Sequence, residues 1–582
     1  MIKINNQGFS ITILRKRLLS IVLAIAFIFC AIFARFFYVQ IIWAKDLTFK
    51  ASDQWNREIP IIASRGIISD RNGQVLAGNK TTYSVFVRPN AVKDVDKVAD
   101  VLSSVLDADR GKIKEKIQKK KVSEVTIARQ VDKSKIESLL TYAVDGLYYA
   151  KDNYRVYSYD DALCQVLGFT SVDGTGISGL EKYYNSILAG KNGEIAYTTD
   201  IVGVQTEKSK IIYKSATDGD ELRLTIDADI QLAVEDVIKR TYDDTSAKKV
   251  SCIVLDAQNF EVLAMANYPS YNLNDVPRND ATTINTQSRN NLVCDVYEPG
   301  STFKVITSAI NLEEYCKGNA RAKSPSYVFN SSRTRSVDGT TVKCWSNHAN
   351  GKHCNQTLAQ ALNTSCNPCF TDIALSIGKD TFYKYLAEFG FGKATGIDFF
   401  GEAKGLLISQ KSVRDCDLAR IGFGQSVAVS QIQLACAVAC AVNGGNYYTP
   451  KLLKSVISAD GKVISSCDNT AERQVISSKA SSMLAQMLEG VIKDGSGKNA
   501  YIEGYRVGGK TGTAQKYENG RIAVGKYVSS FVGFFPANKP KYLTLISVDE
   551  PKGAYYGSVV AAPCAKTIFE RIIALKNIQP CA

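Results

Sequence analysis

Tyr297-Glu298-Pro299-Gly300-Ser301-Thr302-Phe303-Lys304 leads into VITSAINLEEY, a run with apolar residues at helical spacing. Proline and glycine stop the preceding chain, so Ser301 falls at or near a helix N-terminus. There the free N–H groups and the helix dipole favour developing negative charge. Lys304 lies three residues on, one turn along the same face, where a lysine of lowered pKa could take the proton from a weak alcohol nucleophile. Ser-x-x-Lys alone is more often an N-cap beside a solvated lysine. Two further elements change that reading. Ser365-Cys366-Asn367 follows the helical segment TLAQALNT, and Gly508-Gly509-Lys510-Thr511-Gly512-Thr513 sits between the strand-like YRV and AQKY. A nucleophile helix, a loop with a hydroxyl and an amide, and a strand with a cation and small residues are what acyl transfer to serine requires, in that order. Glycines beside Lys510 let a substrate lie against the strand as an added β-partner.

Working outward, LRLTID (222–227) and CIVLDA (252–257) are strand-like and QLAVEDVIKRTY (231–242) is helical. KSATDGDE (214–221) reads as a linker at a domain boundary. Before it, the polar segment from Leu47 to Lys214 breaks into short pieces and contains Arg65-Gly66-Ile67-Ile68-Ser69-Asp70-Arg71-Asn72-Gly73, where Asn-Gly predicts a hairpin turn. The 582 residues exceed what one core holds, so at least two domains are expected. With 45% hydrophobic and 22% charged residues the bulk should be folded and globular. The net charge of +14 is spread over a long chain, so no nucleic-acid partner is expected.

Leu18 to Ala34 is apolar apart from Ser20, preceded by Arg15, Lys16 and Arg17 and followed by Phe36, Phe37, Tyr38 and Trp43. This predicts an uncleaved membrane anchor (18–40) with an aromatic belt and a cytoplasmic tail (1–17). The positive-inside rule places the remainder outside the cell membrane. Fourteen of the fifteen cysteines follow the anchor without the density of a disulfide-stapled domain, so most should be free buried thiols. Cys436 and Cys440, one turn apart in ACAVACAV, read as core.

Ser301/Lys304, Ser365/Asn367 and Lys510/Thr511/Gly512 resemble the three signature motifs of penicillin-binding proteins and serine β-lactamases. The stretches RGIISDRNGQVLA, GISGLEKYYNSILAGKNG, VLDAQNFEVLAMANYPSYN, GFGQSVAVSQIQLACAVACAVNGG and YVSSFVGFFPANKPKYLTLISVDEP extend the resemblance to class B penicillin-binding proteins over nearly all of the chain after the anchor. The resemblance implies an α+β fold: a membrane helix, a pedestal or dimerisation domain (41–217), and a transpeptidase domain (218–582). That last domain would hold a five-stranded antiparallel sheet flanked by helices, plus an all-helical subdomain. It implies a peptidoglycan D,D-transpeptidase, penicillin-sensitive, acting on stem peptides and acylated by β-lactams, with no cofactor required for the chemistry. Ser301 would be the nucleophile and Lys304 its base, with Ser365 relaying a proton and Asn367 holding Lys304. Lys510, Thr511, Gly512 and Thr513 would bind the substrate carboxylate, and the N–H groups of Ser301 and Thr513 would form the oxyanion hole. Nothing matches the deacylating glutamate of class A β-lactamases, so hydrolysis should be slow. Arg65, Asp70 and Arg71 would be structural. No glycosyltransferase domain or C-terminal repeat module is expected, so a polymerase partner is implied. A β-lactam-sensing receptor and a catalytically silent scaffold are the competing readings; the short N-terminal tail and the intact motifs tell against them.

One stretch departs from the common family pattern. Cys344-Trp345-Ser346-Asn347-His348-Ala349-Asn350-Gly351-Lys352-His353-Cys354, followed by Cys366 and Cys369, holds both histidines of the chain. Cys344, His353, Cys354 and Cys369, with Asp295 as an oxygen ligand, are candidates for a tetrahedral structural zinc near the active site. Adjacent His353 and Cys354 could bind one ion only in a tight loop. The alternative is free thiols beside an ordinary active-site loop, with Cys366 simply the middle of Ser-x-Asn.

Overall fold

The computed structural model describes residues 11–44, 47, 56–119, 122, 124–198, 212–330, 332–346, 348, 353–467, 470–518 and 521–580. The expected cytoplasmic tail falls partly outside these residues, as do Asn347 and 349–352 of the Cys/His stretch. The backbone forms two compact units, one of residues 1–63 and 191–217 and the other of residues 64–190 and 218–582.

In the first unit, helix α1 (Ile11–Phe37) continues into a π-helical turn at Tyr38–Ile42. The 32-residue span is long and apolar enough to cross a membrane; at 1.5 Å per residue it reaches about 48 Å, beyond a hydrocarbon core of about 30 Å. It is longer than the expected 18–40 because the flanking basic and aromatic residues do not end a helix. The unit also contains an antiparallel sheet of Asn56–Ile61, Gly193–Thr198 and Ile212–Lys214.

The second unit is built on a sheet with helices on both faces. Its strands are β1 (Lys249–Asp256), β2 (Val262–Tyr268), β3 (Gly508–Glu518), β4 (Arg521–Phe535) and β5 (Tyr542–Asp549), in the antiparallel order β2-β1-β5-β4-β3. Alternation along each strand feeds two cores. Cys252 and Val254 of β1 pack with α2 (Ala228–Thr245) and the C-terminal helix Gly557–Leu575. Ile253 and Leu255 face the helical side, where α3 (Lys304–Cys316), α4 (Leu358–Thr364), α5 (Asn367–Ile377) and α6 (Gln431–Val442) pack. Every residue of α6 is buried, Cys436 and Cys440 included, as expected of a helix apolar all round. No disulfide links the fourteen described cysteines to one another.

A cut at residue 217 does not follow these compact units. Ile68–Ser69 pairs parallel to Glu221–Leu224, so one seven-stranded sheet joins the segment 64–190 to the rest of the second unit. The Asn72-Gly73 turn returns Val75–Ala77 onto Ile68–Ser69, the expected hairpin. Arg65 and Arg155 bind the two oxygens of Glu181 at 2.6 and 2.7 Å, and Asp70 accepts the N–H of Ala228 at the start of α2. These contacts are structural.

Candidate active site

Gly300–Phe303 forms a 3₁₀ turn that runs straight into α3, so Ser301 lies one turn ahead of that helix and Lys304 is its first residue. Lys304 is fully buried. Its Nζ lies 3.0 Å from Ser301 Oγ, 2.8 Å from Ser365 O, 3.0 Å from Ser365 Oγ and 2.7 Å from Asn367 Oδ1. An ammonium has three hydrogens for these four oxygens. A neutral amine would accept from Ser301 Oγ–H while donating to two of the others, which is the arrangement for removing the serine proton. Burial pushes Lys304 down to about 8, partly offset by the nearby thiols of Cys366, Cys344 and Cys369. At neutral pH about a tenth is then in the basic form. Phe370 lies beneath the ammonium, 5.3 Å from ring centre to Nζ.

The other two motifs are held by their elements. Thr357 and Gln360 close a capping box at the start of α4, and the helix ends at Ser365 in the left-handed region (φ +57°). That turn aims both the Ser365 carbonyl and hydroxyl at Lys304. Asn367 opens α5 and donates from Nδ2 to Lys343 O at 3.0 Å, leaving Oδ1 for Lys304. Lys510 is on β3, the sheet's edge strand, with backbone groups free to receive an extended peptide. It is fully buried, and burial together with Lys304 drives its pKa well below the usual lysine range. Its Nζ donates to Thr511 O at 3.1 Å. Thr511 Oγ1 lies 3.2 Å from Ser496 Oγ, and Thr513 Oγ1 accepts the N–H of Gly557 at 3.0 Å. A Cβ on Gly512 would meet Thr302 Cγ2 at 3.0 Å and Pro299 O at 3.1 Å, so this strand closes on the Ser301 turn only because the residue is glycine. Two buried lysines without a carboxylate partner among the described residues, each disfavoured as a cation by burial, make a site that favours an anionic ligand. Ser496 was not anticipated; it lies in a loop whose sequence carries no chemical signature.

The Cys/His stretch converges beside this site, though not in the expected set. Ligand atoms of Cys344, His348, His353 and Cys366 all lie within 4.8 Å of one another. Cys344 Sγ is 3.4 Å from His353 Nδ1. The structure does not bring Cys354, Cys369 or Asp295 into that group. Cys354 is exposed, with its sulfur 3.9 Å from His348 Nδ1. Cys369 is buried next to Cys366, and Asp295 binds Arg289 at 2.6 Å. His348 and Cys366 take their places because the αL turn at Ser365 and the loop after Cys344 fold the two stretches together. His348 Nε2 is buried without a partner among the described residues. Two thiols and two imidazoles, one of them orphaned, fit a zinc ion.

The chain is similar to known proteins in sequence and in fold. Residues 60–224 match the family model of the penicillin-binding protein dimerisation domain and residues 250–570 that of the penicillin binding protein transpeptidase domain. The chain is 36% identical to stage V sporulation protein D of Bacillus subtilis strain 168 over 574 residues, covering 97% of this chain and 86% of that protein. It is 28% identical to the peptidoglycan D,D-transpeptidase FtsI of Escherichia coli strain K12, covering 96% and 91%. The crystal structure of penicillin binding protein 2X from Streptococcus thermophilus shares the fold, with TM-score 0.75 at 23% identity over 90% of this chain and 81% of that one. With the Ser301, Ser365 and Lys510 motifs gathered in one site and the transpeptidase match alone spanning more than half of the sequence, the chain belongs to the penicillin-binding protein family, with a dimerisation domain ahead of its transpeptidase domain.

Proposed function

We propose that this protein is a serine-type peptidoglycan D,D-transpeptidase that cross-links stem peptides through a Ser301 acyl-enzyme. The observation that carries this reading is Lys304 Nζ, buried, 3.0 Å from Ser301 Oγ and bonded to Ser365 and Asn367. Ser301 attacks the D-Ala–D-Ala carbonyl as Lys304 takes its proton, the tetrahedral oxygen lies against the Ser301 and Thr513 N–H groups, and Ser365 passes the proton to the departing D-Ala amine. Lys510, Thr511 and Gly512 receive the terminal carboxylate along β3. An amine of a second stem peptide then attacks the acyl carbon, forms the cross-link and frees Ser301. A β-lactam enters as a mimic of the donor dipeptide and stays attached. Arg15, Lys16 and Arg17 ahead of the apolar span support an N-terminus in the cytoplasm and this chemistry outside the cell membrane, and a separate glycosyltransferase polymerase supplies the glycan. The division into a pedestal (41–217) and a catalytic domain (218–582) is supported by the two family matches.

Labelling with a fluorescent penicillin tests the reading: we expect one stable adduct, mapped to Ser301 and lost in Ser301→Ala. Absence of an adduct on folded protein, or an adduct elsewhere, refutes it and favours a silent scaffold. A second assignment rests on the Cys/His group: Cys344, His348, His353 and Cys366 hold a structural zinc that secures the Ser-x-Asn turn. The chemistry of acyl transfer does not run through it. Elemental analysis of tag-free protein should return about one zinc per chain, lowered by Cys344→Ser; well under one removes the assignment.

A further inference from the structure

Glu298, three residues ahead of Ser301, uses only half of its carboxylate. Oε1 accepts the N–H of Ser426 at 2.9 Å, while Oε2 is buried without a partner among the described residues. Burial accordingly raises its pKa. Ser426, at φ +57°, ends the loop Gly422-Phe423-Gly424-Gln425-Ser426, which lies directly against the nucleophile turn. Gly300 N–H donates to Gly424 O at 3.0 Å, and Thr307 of α3 donates to Gly422 O at 2.7 Å. The approach is so close that a Cβ on Gly424 would stand 2.0 Å from Gly300 O. Gly300 itself is at φ +54°, the peptide immediately before Ser301. The aim of Ser301 is therefore set by this loop, and the loop's far end is tied down by Glu298. A carboxylate with one buried oxygen unmatched is a poor choice if the position only needed filling.

We propose that Glu298 is a positioning residue for acylation: by holding Ser426 it fixes the 422–426 loop against Gly300 and keeps Ser301 Oγ within hydrogen-bond reach of Lys304. This rests on the transpeptidase reading in taking Ser301 as the nucleophile. Glu298 does not touch substrate, so its loss slows the covalent step and leaves encounter with the antibiotic unchanged.

The test is stopped-flow acylation of the full detergent-solubilised chain by a fluorescent penicillin, resolving pre-acylation affinity from the first-order acylation rate. Glu298→Ala should lower that rate on the order of ten- to a hundred-fold at unaltered affinity. Glu298→Gln, which keeps a carbonyl acceptor for Ser426, should recover most of it. If Glu298→Ala melts below the assay temperature, Glu298→Asp carries the same expectation, since it keeps the charge but withdraws the oxygen. Parent-like acylation in Glu298→Ala, a loss in Glu298→Gln as deep as in Ala, or a loss confined to affinity would overturn the proposal. Labelling that survives in Ser301→Ala would instead refute the transpeptidase reading beneath it.

Discussion

Lys304 is charged in water and costly to bury, yet it is fully enclosed with only neutral oxygens around it. Its pKa near 8 implies that the first-order acylation rate climbs about tenfold per pH unit in the acid range and levels off above pH 8, measured by stopped flow. The same shift acts on stability. The folded state holds fewer protons than the unfolded chain between about 8 and the ordinary lysine value of about 10.5, so this group makes the protein more stable as pH rises through that window. Lys304→Met should abolish acylation while the melting temperature holds or rises, because an uncompensated buried cation is removed. The thiols act in the opposite sense. Cys344 is pushed up to about 12, chiefly by its hydrogen bond with Cys366 and by burial, and Cys366 to about 11. Zinc must displace both protons, so uptake near neutral pH should release about two protons per ion. Calorimetry in buffers of different ionisation enthalpy reads that number; a value near zero would exclude thiolate ligation.

At the scale of elements, the site is an edge strand pressed against a helix start. β3 approaches the Ser301 turn through Gly512, where a methyl group would meet Ser530 Oγ at 2.5 Å as well as Thr302 and Pro299. Gly512→Ala should therefore push β3 away from the nucleophile and lower the second-order acylation rate on the order of a hundred-fold, by the same stopped-flow assay, with a much smaller change in melting. The αL turn at Ser365 is the other joint. It was legible only as a Ser-x-Asn motif, because nothing local requires a non-glycine residue at positive φ; packing of α4 and α5 imposes it. Cys366 entered the Cys/His group for the same reason. Spacing could show that two histidines and several thiols share one stretch, while which sulfur turns inward depends on that joint.

Across the whole second unit, the segment 64–190 is wired into the catalytic part by a shared sheet, while a buried Arg65–Glu181–Arg155 cluster, with Glu181 fully enclosed, holds the segment itself together. Glu181→Leu leaves two buried guanidinium groups unpaired and should cost about 3–5 kcal/mol, measured by denaturant unfolding. A loss under about 1 kcal/mol, the size of an exposed pair, would show that the cluster is solvated. The full chain should also stay with membranes through a high-salt wash, held by α1.

The linear sequence was sufficient for whatever depends on residue type at short range. Apolar length decides the anchor, Asn72-Gly73 makes its hairpin, ACAVACAV makes a buried helix, and the three motifs by themselves single out Ser301, Lys304, Ser365, Asn367 and Lys510. Tertiary structure alone decided what depends on segments distant in sequence meeting. It set the four oxygens around Lys304, the bond from Glu298 to a loop 128 residues away, the membership of His348 and Cys366 in the thiol–imidazole group, and the sheet that crosses residue 217. Contacts of that kind arise where long loops close and pay chain entropy for packing, and no local propensity records which partner wins.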